Sequence, residues 1–239
     1  MSDAIRARRD PPRCSTCVVR HLCVPEGLSA RDIGKFEQVI SAAHLVRRGE
    51  ALFRAGDAFN ALFAVRSGSL KTVAIRDGGR KQVTGLMLAA DPLGLDGIGD
   101  GQHTYDAIAL EDSSVCVIPY SLFERICREM ETLQKRVLRM LGQAINRESD
   151  HALRLAMLRA DERVARLLLD LSARLAKRGY AADEFTLRMT RDDIGSYLGL
   201  TLETVSRTLS RFDKIGLIDA KGKAVRIRDF ERLRSIGAG

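Results

Sequence analysis

The chain has 239 residues, enough for two separate cores, and a net charge of +8 from 39 basic and 31 acidic side chains. Residues 151–239 hold 18 Lys and Arg against 12 Asp and Glu, so +6 of that charge lies in the C-terminal part, which suits a polyanion such as nucleic acid. No apolar run approaches the roughly 18 residues of a membrane span. The basic N-terminus lacks the apolar stretch of a secretory signal, so a cytoplasmic location is expected.

Residues 1–28 read as an irregular arm that carries Cys14-Ser-Thr-Cys17-Val-Val-Arg-His-Leu-Cys23, closed off by Pro25 and Gly27. The C-x2-C-x5-C spacing is that of a loop wrapped around a metal centre. A fourth thiol, with Cys116 available far downstream, would complete a tetrathiolate cage, the ligand set of a [4Fe–4S] cluster or a structural zinc. Five cysteines is an odd number, and in a reducing compartment it favours metal ligation over a disulfide framework.

Ser29 to Ile40 reads as a helix, with Ser29 as N-cap and Asp32 three positions on. From about 45 to 118, short apolar runs such as Ala61–Val65, Leu70–Ile75 and Val83–Leu88 alternate with glycines, the pattern of a small antiparallel β-roll or jelly roll. Pro119 and Ser121 open a long helical region over 121–158. There Leu133, Val137, Leu141, Ala144, Ile145, Ala152 and Leu155 keep near-heptad spacing, and Glu148 falls on the same seam. Either the helix lies on its own domain with Glu148 solvated, or it is a dimerisation helix with a like-charge repulsion built in. A further amphipathic helix spans 161–178, capped by Gly179, and Phe185–Met189 is short and extended.

Thr190 to Phe212 reads as a helix–turn–helix. Thr190 and Asp193 form a capping box, Ile194 and Leu198 face inward, Gly199 makes the turn and Thr201 caps the second helix. Glu203, Ser206 and Arg207 share one face near the start of that helix. Arg207 suits a bidentate contact with guanine and Glu203 can accept from cytosine, while Ser206 suits a neighbouring base or phosphate. The plain alternative for Glu203 and Arg207 is an exposed i,i+4 ion pair. Arg211 and Lys214, further along, suit phosphates. Leu217 to Ile227 reads as a hairpin wing with Gly222 at its tip and Lys221 and Lys223 positioned for the DNA backbone.

This order of arm, β-roll, long helix and winged helix–turn–helix makes an α+β chain that resembles the CRP/FNR superfamily of bacterial regulators. The divisions are a cysteine-bearing arm (1–28), a β-roll sensor domain (29–120), a dimerisation helix (121–158) and a DNA-binding domain (159–239). The four cysteines, Glu203-Thr-Val-Ser206-Arg207, Leu52-Phe-Arg-Ala-Gly-Asp57, Ala64-Val-Arg-Ser-Gly68 and Asp192-Asp-Ile-Gly-Ser-Tyr-Leu-Gly-Leu200 look like its oxygen-sensing FNR branch. The resemblance implies that Cys14, Cys17, Cys23 and Cys116 bind an oxygen-labile [4Fe–4S] cluster. It also implies that the cluster-bearing form is a homodimer on inverted repeats of TTGAT-like half-sites, and that oxygen separates the subunits. Glu148 would then be the acidic residue that opposes dimerisation, beside Leu141 and Ile145. Activation would require RNA polymerase, contacted through loops such as 76–82.

Rival readings are weaker on the residues. A cyclic nucleotide needs a cation for its phosphate, and from Gln82 to Glu124 there is no Lys or Arg; Thr104-Tyr105-Asp106 stands where the family's Arg-Ser or Arg-Thr step is absent. Structural zinc sites more often use two C-x2-C knuckles, and an electron-transfer or redox-enzyme role finds no substrate site or flavin loop; the alternative is a regulator of the same fold with a structural zinc or a thiol-redox signal in place of the iron–sulfur cluster. A nitric-oxide response is compatible with the same cluster. Cys127 reads as a core thiol and His21 as a surface residue, His44, His103 and His151 are unclustered, and Val18 beside Cys17 is placed to shield a cluster. No residue set suggests catalysis.

Overall fold

The structure, a computed structural model, describes residues 13–24, 29–75 and 78–237, so Pro25, Gly27, Arg76, Asp77 and the start of the arm lie outside the described residues. The chain forms two compact units, 1–142 and 143–239.

In the first unit a 3-10 turn, Cys14–Thr16, carries Cys14 and a short helix α1 (Arg20–Cys23) carries Cys23, with Cys17 between them. Helix α2 (Ala30–Val39) follows, and its N-cap is the one expected: Ser29 Oγ accepts from the Asp32 amide at 3.1 Å. Eight strands come next: β1 (Ala42–Val46), β2 (Ala51–Phe53), β3 (Ala61–Ser67), β4 (Ser69–Ile75), β5 (Lys81–Leu88), β6 (Pro92–Leu93), β7 (Asp106–Ala109) and β8 (Ser113–Pro119). A helical turn, α3 (Gly97–Asp100), lies between β6 and β7. The strands make two antiparallel sheets, β1-β8-β3-β6 and β2-β7-β4-β5, the β-roll read from the glycine-punctuated sequence. Val46, Phe53, Val65, Leu70, Leu93 and Val115 form one buried cluster of this roll. The β3–β4 turn requires glycine: Gly68 has φ of +86°, and a Cβ there would lie 2.3 Å from Ser113 Oγ.

A second cluster joins Phe36 and Ile40 to Leu62 on β3, Ile118 on β8, and Phe123 and Ile126 on the helix after β8. That helix is not continuous over 121–158. It is two helices, α4 (Tyr120–Glu129) and α5 (Glu131–Met157), separated by Met130 in an extended conformation with φ of −127° and ψ of 93°. No proline or glycine marks the break. Met130 and Leu133 are both drawn into the same core cluster, and burying both overrides the helical propensity of the stretch. Val137 still packs against that cluster, but Leu138, Ile145, Leu153 and Met157 of α5 are all more than half exposed in the single chain.

The second unit contains the rest of α5, then α6 (Ala160–Ala176), β9 (Glu184–Thr186), α7 (Arg191–Leu198), α8 (Leu202–Lys214), β10 (Ile218–Lys221), β11 (Ala224–Ile227) and α9 (Phe230–Gly237). Helix α6 buries Val164, Leu168 and Leu171, α8 buries Val205, Leu209 and Phe212, and the three-stranded sheet β10-β11-β9 forms the wing.

Candidate metal centre and nucleic-acid interface

Cys14, Cys17, Cys23 and Cys116 line one cavity of about 120 Å³ in the first unit. Strand alternation places the fourth thiol there. On β8, Val115 points into the roll, while its neighbour Cys116 packs against the other cluster, beside Cys14. Cys116 pairs with Ala64 of β3 and Ala43 of β1, so it is held at the centre of its sheet. Burial, helped by the neighbouring thiols, pushes Cys14 and Cys23 up to about 12; burial pushes Cys116 up to about 11. Arg20 near Cys14 and Arg66 near Cys116 work against that rise without cancelling it. At neutral pH these three thiols are therefore protonated in the metal-free protein, and any metal group must displace their protons.

Tetrahedral ligation of one zinc at about 2.3 Å requires the four sulfurs to lie about 3.8 Å apart. Among the described residues no group of three or more His, Cys, Asp or Glu side chains is gathered to hold a single ion. The thiols stand around a cavity, and four soft sulfur donors are the kind of set that an iron–sulfur cluster or a zinc takes.

Residues outside the cysteine spacing hold this loop in place. Glu37 on α2 accepts from the Ser15 amide at 2.6 Å, and that bond keeps its carboxyl below the usual range. Arg136 on α5 reaches the Leu22 carbonyl at 3.4 Å. The Cys23 thiol points at the Ala90 carbonyl, 3.9 Å away, and Ala90 is the one non-glycine residue with positive φ (73°) among those described. Such a conformation costs about 1–2 kcal/mol, which suggests that the carbonyl direction matters. Val18 is 87% exposed and lies on the outside of the loop. Cys127 is half-buried against the second core cluster, and His21 is exposed, as read from the sequence.

On α5, Leu141 is half-buried, and Ile145 and Glu148 are exposed, all on one helix face. Glu148 is exposed, yet nearby protein already raises its carboxyl above 4.5, with Arg147 opposing the rise. Where α5 ends, Arg163 donates to the carbonyls of Leu155, Leu158 and Leu198 at 2.7–2.9 Å. One guanidinium thus ties the end of the long helix to the end of α7.

The reading head matches its caps. Thr190 Oγ1 accepts from the Asp193 amide at 3.0 Å while Asp193 accepts from the Thr190 amide at 3.1 Å. Gly199 turns with φ of +63°, and Thr201 caps α8 through the Thr204 amide at 3.1 Å. Gly195 is a requirement the sequence did not announce: a Cβ there would lie 2.7 Å from the Leu200 carbonyl. Val205, Thr208, Leu209 and Phe212 face inward, leaving Glu203 and Arg207 outward with Ser206 half-buried between them. Arg207 donates to Glu203 at 2.6 Å, so the ion pair exists in the free protein. Arg211 donates to Asp161 at the start of α6, a partner not anticipated from sequence. Lys214 is exposed, as are Lys221 and Lys223 on either side of Gly222, and Arg191 ties the wing down through the Gly222 carbonyl.

No described helix is long and apolar enough to cross a membrane. Residues 162–236 match the Crp-like helix-turn-helix domain and residues 44–130 the cyclic nucleotide-binding domain, the latter spanning the β-roll. The chain is 39% identical to the transcriptional activator protein anr of Pseudomonas aeruginosa over its whole length and 98% of that protein. It is also 39% identical to the fumarate and nitrate reduction regulatory protein of Salmonella typhimurium, over 93% of this chain and 89% of that one. Among solved structures it resembles FixK2 from Bradyrhizobium japonicum, with a TM-score of 0.76 at 30% identity over 82% of this chain and 97% of that chain. Likeness of this extent to activators, together with a matching reading domain, means that the chain belongs to the CRP/FNR family of transcription regulators and is not an enzyme.

Proposed function

We propose that this protein is a cytoplasmic, oxygen-responsive transcription activator that binds a [4Fe–4S] cluster through Cys14, Cys17, Cys23 and Cys116. The observation that carries this is the convergence of all four thiols on one cavity, in a chain similar over its length to an anr activator and to a fumarate and nitrate reduction regulator. When bound, the cluster supplies an oxygen-labile centre that ties the N-terminal loop to the β8 strand. Glu37 and Arg136 hold that loop at two points, and Arg136 connects it to α5. Leu141 and Ile145 supply the apolar seam of a homodimer, which Glu148 opposes. Glu203, Ser206 and Arg207 read base edges of TTGAT-like inverted repeats, and Arg211, Lys214, Lys221 and Lys223 meet phosphates. RNA polymerase is the further partner, through β-roll loops including 78–82.

A direct thiol-redox signal is less well supported at Cys14, Cys23 and Cys116, because burial pushes these three thiols up to about 11–12 and leaves little thiolate for an oxidant at pH 7. Cyclic nucleotide has no place in this reading, since the matching domain lacks a Lys or Arg between Gln82 and Glu124. The test is DNA binding by protein purified without oxygen, on a duplex with an inverted TTGAT repeat, before and after air. Tight binding lost in air supports the reading. Equal binding in both states overturns it.

A further inference from the structure

The start of α6 and the reading helix α8 enclose an open cleft lined by Arg159, Asp161, Thr204, Arg207, Thr208 and Arg211. Of these side chains Asp161 alone is acidic. Its carboxylate, in the first turn of α6, accepts from Arg211 at 3.0 Å. A carboxylate that engages a guanidinium at a helix start occupies the kind of place a phosphate oxygen would take there. The pair spans 50 residues of sequence and is partly exposed, with side-chain exposures of 54% for Arg211 and 35% for Asp161. It is therefore accessible to a duplex.

We infer that Asp161 is a built-in competitor for DNA phosphate: it holds Arg211 in the free protein, and the duplex backbone must displace it. This rests on the proposed DNA-binding reading. The carboxylate lowers general affinity for DNA, because Arg211 exchanges one anion for another and Asp161 itself faces the phosphates. Limiting non-specific binding helps a chain of net charge +8 to find specific sites.

The experiment measures full-length protein, purified without oxygen, on a random-sequence duplex between 50 and 200 mM salt. Asp161→Asn is expected to raise affinity about three- to tenfold at the low-salt end and to steepen the salt slope by about one unit. A defect of folding would lower affinity, so a gain separates this role from a structural one. Arg211→Ala in the Asp161→Asn background is expected to remove most of the gain. An affinity and slope unchanged by Asp161→Asn, or a gain that survives loss of Arg211, overturns the inference. Failure of the native chain to bind random duplex at 50 mM salt would contradict the DNA-binding reading itself.

Discussion

Glu148→Ala tests the proposed switch where the opposing energies are closest. Leu141, Ile145 and Glu148 follow at i, i+4 and i+7 on α5, and Ile145 is 66% exposed in the single chain. Packing two copies on this face would cover two Ile145 side chains and gain about 2–4 kcal/mol. Two carboxylates facing each other at roughly 4–8 Å, with an effective dielectric near 20, repel by about 2–4 kcal/mol. The two effects are of the same size, so removing the repulsion should shift the monomer–dimer equilibrium by about one to three decades. Sedimentation equilibrium of the metal-free protein reads this directly. The same carboxyl predicts a pH dependence. Partial desolvation by nearby protein already raises it above 4.5, and a facing carboxylate would raise it further in the dimer. The dimer therefore takes up protons, and its fraction should rise as pH falls from 7 toward the carboxylate range. His151, stacked on Tyr197, has its own value lowered below 6.5 by burial and titrates in the same window. Comparison with Glu148→Gln isolates the carboxyl. A dimer fraction unchanged by Glu148→Ala, with the pH dependence intact in Glu148→Gln, would refute the reasoning.

Two further substitutions probe the reading head. Arg207→Ala should weaken binding to the specific site by about 1–3 kcal/mol and relax discrimination at one guanine, with a smaller loss on random DNA; equal losses on both would contradict base reading. Gly195→Ala should destabilise the second unit by about 1–3 kcal/mol, since its Cβ meets the Leu200 carbonyl at 2.7 Å, and urea unfolding that matches the native protein would show that the turn gives way freely.

What the sequence reveals and what it hides divide along the range of the interactions. Thr190, Gly199 and Thr201 act within a few residues of themselves, so caps and turn are legible from residue types and their spacing. The β-roll is legible because turn glycines such as Gly68 recur between short apolar strands. The break at Met130 is not, because no residue type announces it; it follows from the burial of Met130 and Leu133 in one core. At the candidate metal centre the cysteine spacing is visible. Its supports Glu37, Arg136 and Ala90 are not, since they act across 22, 114 and 67 residues. Asp161 is hidden for the same reason. Arg211 reads as a phosphate contact because its partner lies a helix away.

The measurement that bears most directly on the central claim is iron and acid-labile sulfide per chain in protein purified without oxygen, followed through exposure to air. The account predicts about four of each, with absorbance bleaching as dimer gives way to monomer. Zinc at one per chain, or no metal and no change of size in air, would contradict it.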